Sequence, residues 1–303
     1  MPPRQGLDWE RDGADWPLRQ YSRFVQTPRL RWHVQYAPHA DPQALTVLLL
    51  HGTGASTHSW REVFPLLRAR CSVLALDFPG HAFTATPAPS QVATLFSLPG
   101  MAAGVAELLA QMGIAPHTIV GHSAGAAVAC MLSLDGHAQP QRIVSLNGAL
   151  LPLDGLAGQL FSPMAKLLAK APLVPELFSW QAAQPAVLQR LLDGTGSTLD
   201  APGRALYQKL IAQPAHGAGA LAMMAHWDLH TFWKRLPALQ TPLTLIAGEQ
   251  DLIVPPSVAE RAAASLTRQP KPPISRLPGL GHLAHEEQPG TLAQCILRAM
   301  DCA

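Results

Sequence analysis

The chain has 303 residues, 48% of them hydrophobic, with 22 basic and 20 acidic side chains and a net charge of +2. That apolar fraction supplies a sizeable core and excludes global disorder, and the balanced charge lacks the basic excess of a nucleic-acid-binding protein. The 23 Gly and 29 Pro follow no G-x-y period, and Cys71, Cys130, Cys295 and Cys302 show no C-x-x-C spacing, so collagen, zinc-ribbon, redox-dithiol and disulfide-framework readings fail.

The chain opens with polar, tryptophan-containing sequence and no apolar leader, so a cytoplasmic location is expected. Segments Ser22–Gln26 and Leu30–Ala37 read as a hairpin. Further short apolar runs at Leu45–Leu50, Ser72–Leu76, His117–Val120, Ile143–Leu146, Leu243–Ala247 and Ile274–Leu277 read as strands. Helical periodicity lies between them, near Ser59–Arg70, Leu98–Met112, Ser123–Leu134, Pro256–Leu266 and Pro289–Met300. Alternation of near-continuously apolar strands with helices predicts an α/β fold, a mostly parallel eight-stranded sheet with helices on both faces. The stretch 153–236 has helical periodicity and no strand pattern. It is read as a helical cap inserted into a core made of 1–152 and 237–303. No apolar run reaches the roughly 18 residues of a membrane span. Only 14% of residues are charged, which is compatible with peripheral contact at a membrane surface.

Gly121-His122-Ser123-Ala124-Gly125 follows an apolar strand and opens a helix of small residues, the setting of a nucleophile elbow. A G-x-S-x-G string is expected by chance about 0.1 times in such a chain, so its position between strand and helix carries the weight. A serine hydroxyl needs a base, and the base needs a carboxylate to hold its tautomer. In the order Ser, acid, His, the loops after the last two strands, Leu243–Ala247 and Ile274–Leu277, supply Asp251 and His282. Ser123 is assigned as nucleophile, His282 as general base and acid, and Asp251 as the orienting carboxylate. Glu249, Asp77 and Asp154 are the rival acids and His285 the rival base. The turn His51-Gly52-Thr53-Gly54 can present the backbone N–H of Thr53, which with that of Ala124 would form an oxyanion hole. His51 would brace this loop. Asp77-Phe78-Pro79-Gly80-His81 reads as a structural turn on the same face.

Met223, Met224, Trp227, Phe232 and Trp233 read either as core or as a pocket wall over Ser123. Substrate contact is assigned to Met223, Met224 and Trp227, together with His51, Gly52 and His122. No P-loop and no dinucleotide fingerprint is present. The pairs His226/His230 and His282/His285 lack a third ligand in a recognised spacing, so no metal and no cofactor are expected.

The His51-Gly52 turn, the Gly121–Gly125 elbow, Asp251 and His282 resemble the α/β-hydrolase fold over about residues 22–300. Ser123 at the elbow sets the chain apart from the acid-nucleophile branches. A closer resemblance runs through residues 9–17, 51–61, 121–127, 145–152 and 281–287. These segments are similar to the α/β-hydrolase-fold accessory proteins of magnesium chelatase in bacteriochlorophyll biosynthesis. Ala82 departs from the wider pattern, in which a glycine commonly follows the histidine at 81. The resemblance implies a photosynthetic bacterium and a role near magnesium insertion into protoporphyrin. The expected partners are a hydrophobic substrate of porphyrin size and a magnesium-chelatase subunit. Two functions follow as expectations: a cofactor-free serine hydrolase acting on an ester or related carbonyl, or a non-catalytic porphyrin-binding, chaperone-like accessory protein. Non-hydrolytic chemistry in the same pocket, such as C–C cleavage or perhydrolysis, is a third.

Overall fold

The computed structural model describes residues 6–152 and 184–301. Eight strands form one sheet: β1 (Ser22–Gln26), β2 (Arg31–Ala37), β3 (Thr46–Leu50), β4 (Ser72–Leu76), β5 (Thr118–His122), β6 (Arg142–Leu146), β7 (Leu243–Gly248) and β8 (Ile274–Leu277). Their order is β1-β2-β4-β3-β5-β6-β7-β8. The β1–β2 and β2–β4 pairs are antiparallel. Every other pair is parallel.

Side chains alternate across a strand, so each central strand feeds two cores. Leu48, Leu50, Leu74 and Ile119 pack on one face, with helices Leu98–Met112 and Ala124–Leu134. Val47, Leu49, Val73 and Val120 pack on the other, with helices Val63–Arg68 and Pro289–Asp301. Both faces are dry, which is why the strands read as unbroken apolar runs rather than alternating ones.

The expected helix over Ser59–Arg70 divides into a 3₁₀ turn, Thr57–Trp60, and a helix, Val63–Arg68. Pro65 explains the break. It has no N–H to give to the carbonyl of Arg61, and its ring would crowd that carbonyl in a continuous helix. Between β6 and β7 the described residues are helical: Pro185–Asp193, Ala201–Ile211, Pro214–His226 and Leu229–Arg235. The first part of the expected cap, 153–183 with the rival acid Asp154, lies outside the described residues. No single helix among the described residues is long and apolar enough to cross a membrane.

The parallel strands point their carboxyl ends the same way. The loops after β3, β5, β6, β7 and β8 therefore gather at one edge of the sheet, where an open α/β sheet offers a crevice.

Candidate active site

Ser123 directly follows β5 and caps helix Ala124–Leu134. Its backbone sits at φ 51, ψ −116, well outside the regions an L-residue prefers. Strain of this kind costs on the order of 1–3 kcal/mol and persists only where the surroundings enforce it. The flanking glycines enforce it by proximity. A Cβ on Gly121 would lie 2.4 Å from the backbone of Gly125 and Ala126, and one on Gly125 would lie 2.3 Å from the carbonyl of Leu50. The result is a half-buried serine at the N-terminus of a helix, with the N–H of Ala124 in the first turn.

The loop after β3 passes directly over this turn. A Cβ on Gly52 would come within 3.1 Å of Ser123 Cβ and 2.9 Å of His122 Nδ1. His51 braces the loop as expected. Its Nδ1 donates to Gly52 C=O at 2.7 Å, and its Nε2 accepts from the N–H of Phe78 at 2.9 Å. Burial drives the His51 imidazole down to about 4, so it stays neutral in that tautomer. Gly54 is gripped from both sides: its N–H donates to His81 Nε2 at 3.3 Å, and its C=O accepts from His216 Nε2 at 3.0 Å. Burial holds both histidines below their ordinary value. Thr53, between these fixed points, is half-buried, and its hydroxyl donates to Met223 Sδ at 3.4 Å.

Asp251 and His282 meet. His282 Nδ1 lies 2.7 Å from Asp251 Oδ2, with the two residues 6% and 5% exposed. Asp251 Oδ1 accepts the N–H groups of Ile253 and Val254, both at 2.8 Å. The rival Glu249 is exposed. Asp77 is buried elsewhere, accepting from Thr57 N–H at 2.7 Å and Phe83 N–H at 3.3 Å, and pairing with His33 Nδ1 at 2.7 Å. Burial opposes its charge, but His33 and these hydrogen bonds outweigh it and leave the carboxyl at about 2. His285, the rival base, is fully buried, and among the described residues neither ring nitrogen has a hydrogen-bond partner. His122 donates from Nε2 to the C=O of His282 at 2.8 Å, so it supports the histidine turn from below.

The helical region between β6 and β7 also holds that turn. Thr195 C=O accepts the N–H of His282 at 3.0 Å, and Ser197 Oγ accepts the N–H of Leu283 at 2.8 Å. Beside it, the Glu286 carboxylate takes a hydrogen bond from Tyr207 Oη at 2.8 Å and pairs with Arg61, which also reaches Asp200 at 2.9 Å.

Of the assigned contact residues, Met223 is fully buried in the same core cluster as Ala124 and Phe232. Met224 is half-buried, and Trp227 packs against that cluster from the end of the helix. His226 and His230 fall on separate helices. Among the described residues no three His, Cys, Asp or Glu side chains converge as metal ligands. Asn147, which residue-type reasoning gave no role, stands in the middle of the site. Its Nδ2 lies 2.6 Å from Asp251 Oδ2. Its signals in the sequence were an Asn-Gly pair directly after a strand and its place in the 145–152 segment that carries the family resemblance.

A family model for the alpha/beta hydrolase fold matches residues 46–289. The chain belongs to the α/β-hydrolase fold family. Within this family it is 38% identical, over 94% of its length and 96% of the relative's, to the magnesium-chelatase 30 kDa subunit of Rhodobacter capsulatus. Solved α/β-hydrolase-family structures superpose closely. Epoxide hydrolase CorEH gives a TM-score of 0.75 at 20% identity, covering 92% of this chain and 98% of that one. The enol-lactonase of Burkholderia xenovorans gives 0.72 at 15% identity, covering 92% and 100%. At those identities the two structures speak for the fold alone.

Proposed function

We propose that this α/β-hydrolase-family protein is a serine hydrolase of bacteriochlorophyll biosynthesis, acting near the magnesium-chelatase step on a hydrophobic ester or related carbonyl of tetrapyrrole size. The observation that carries the chemistry is the Asp251–His282 hydrogen bond at 2.7 Å, on loops that flank the strained serine. The 38% identity to a chelatase subunit supports the pathway. Residues 1–152 and 237–303 are the hydrolase core in this reading, and 153–236 the cap that shapes the pocket.

With Nδ1–H given to Asp251, His282 presents Nε2 as the acceptor. Ser123 Oγ attacks the carbonyl carbon while its proton passes to His282. The carbonyl oxygen becomes an oxyanion held by the N–H groups of Thr53 and Ala124. When the tetrahedral adduct collapses, the leaving oxygen takes the proton from His282. Water then attacks the acyl-serine, gives its proton to His282, and Ser123 is restored. Met224 and Trp227, which are partly exposed, contribute to an apolar wall for the substrate, and Met223, enclosed in the core, backs Thr53 from behind. His51, Gly52 and His122 hold the oxyanion loop and histidine turn around the site. No cofactor enters any step.

The similarity to a magnesium-chelatase subunit also favours a second reading, a porphyrin-binding accessory protein that leaves the serine idle. Metabolites of cells carrying wild-type or Ser123→Ala protein separate the two. The hydrolase reading predicts lost pigment and an accumulated tetrapyrrole ester or intermediate. Unchanged pigment in cells that hold the variant at wild-type level would refute it and support the accessory reading.

A further inference from the structure

Residues 146–149 touch all three loops of the site. Ser123 N–H donates to Leu146 C=O, and Ala149 N–H donates back to Ser123 C=O, both at 3.0 Å. Asn147 N–H donates to Ile246 C=O at 2.8 Å, extending the β6–β7 pairing one residue past the end of β6. The Asn147 side chain then crosses the crevice. Its Nδ2 lies 2.6 Å from Asp251 Oδ2 and 3.4 Å from the C=O of Gly281, the residue before His282. The residue is 2% exposed and its backbone is left-handed, φ 46. Only the nitrogen end of the amide can face a carboxylate, because the oxygen end would set two acceptors against each other.

The Asp251 carboxylate therefore has two kinds of support. Oδ1 is held by two N–H groups of its own loop, Ile253 and Val254. Oδ2, the oxygen that meets His282, takes a second hydrogen bond from a different strand. We propose that Asn147 is a positioning residue: its amide fixes Oδ2 of Asp251 against the Nδ1–H of His282 and ties the acid loop to the histidine turn. This rests on the reading of Ser123, Asp251 and His282 as the reacting group. An uncharged donor suits the place, since a cation would neutralise the carboxylate that the imidazolium needs.

The competing account gives Asn147 a backbone role alone, as a residue that accepts a left-handed turn. Glycine and aspartate accept that turn too. Asn147→Gly and Asn147→Asp thus keep the turn and change only what faces Asp251, to nothing or to a second carboxylate. In the full chain, a fluorophosphonate ester gives a saturating rate constant of Ser123 labelling and a half-saturation concentration. The downfield proton signal of the His282–Asp251 hydrogen bond reports its geometry, and Tm reports folding. The expected result for Asn147→Gly is a saturating rate lower by about 10- to 100-fold, an unchanged half-saturation concentration and a displaced downfield signal. Asn147→Asp makes the rate pH-dependent: while the two carboxyls share a proton the acid can donate to Oδ2, and once that proton is lost with rising pH the rate falls below that of Asn147→Gly. Folded variants that keep the downfield signal and label within about two-fold of the wild-type rate would overturn the proposal while leaving the triad reading intact. A wild-type protein that does not label, or a Ser123→Ala protein that labels normally, would instead overturn the triad reading and the proposal with it.

Discussion

Replacing His285 with phenylalanine tests how the site tells its histidines apart. His285 is fully buried, its ring 4.6 Å from that of Trp60 and 4.4 Å from that of His122 between centroids. Burial drives its imidazole down to about 3, and the nearby His282 and Arg61 push the same way. In the unfolded chain it would take a proton near its ordinary value of 6.5. The folded value lies below the unfolded one, so this residue's contribution to stability is complete above pH 6.5 and falls as the pH drops below it. At pH 7.5 the loss is about 0.1 kcal/mol. At pH 5.0, one and a half units below the unfolded value, it is about 2 kcal/mol. Phenylalanine fills a similar space and does not titrate. Any packing change it brings acts equally at both pH values and drops out of the comparison. Urea unfolding followed by tryptophan fluorescence gives both stabilities. The stability of His285→Phe relative to wild type is expected to rise by about 2 kcal/mol between pH 7.5 and pH 5.0, with Ser123 labelling retained. A rise below about 0.5 kcal/mol would mean that His285 takes up its proton in the folded protein, refuting the burial argument. Lost labelling in a folded variant would make His285 the base.

The other predictions concern stability around the site. Asp77→Asn leaves one of the buried donors Thr57 N–H and His33 Nδ1 facing an amide N–H₂. It should cost about 2–5 kcal/mol in urea unfolding at neutral pH, with the folded fraction still labelling at Ser123. Full stability with abolished labelling would make Asp77 the functional acid. Ala82, which stands where a glycine is common, has φ 41. Ala82→Gly relieves about 1–2 kcal/mol of backbone strain and gives back about 0.4–1 kcal/mol to the unfolded chain. A Tm increase of about 1 °C is the expected outcome, and a decrease would show that the Ala82 methyl, packed beside Trp16, Phe83 and Leu210, contributes more than the strain costs.

The sheet was legible because each strand is short, apolar and bounded by turn residues. The elbow was legible because its glycines fall in one short string between a strand and a helix, although only Gly121 is required by contacts inside that unit and Gly125 by the neighbouring carbonyl of Leu50. Asp251 and His282 could be placed because each follows a recognisable strand end. The remaining features depend on side chains brought together from far apart. Asn147 meets Asp251 across 104 residues, Arg61 meets Glu286 across 225, and His216 reaches Gly54 across 162. No periodicity records such pairs. His285 shows the limit most clearly. Its spacing from His282 made it a rival base, and only packing reveals a ring enclosed against Trp60 and His122. Pro65 was visible in the sequence, yet helical periodicity around it concealed the break at residues 61–62.

The proposal that Ser123 is a nucleophile is tested most directly by intact-mass and peptide mapping after reaction with a fluorophosphonate. The account predicts one adduct per chain, on Ser123, absent from Ser123→Ala and formed about 10⁴-fold more slowly in Asp251→Asn. A folded wild-type protein that takes no adduct, or takes it on another residue, would contradict it.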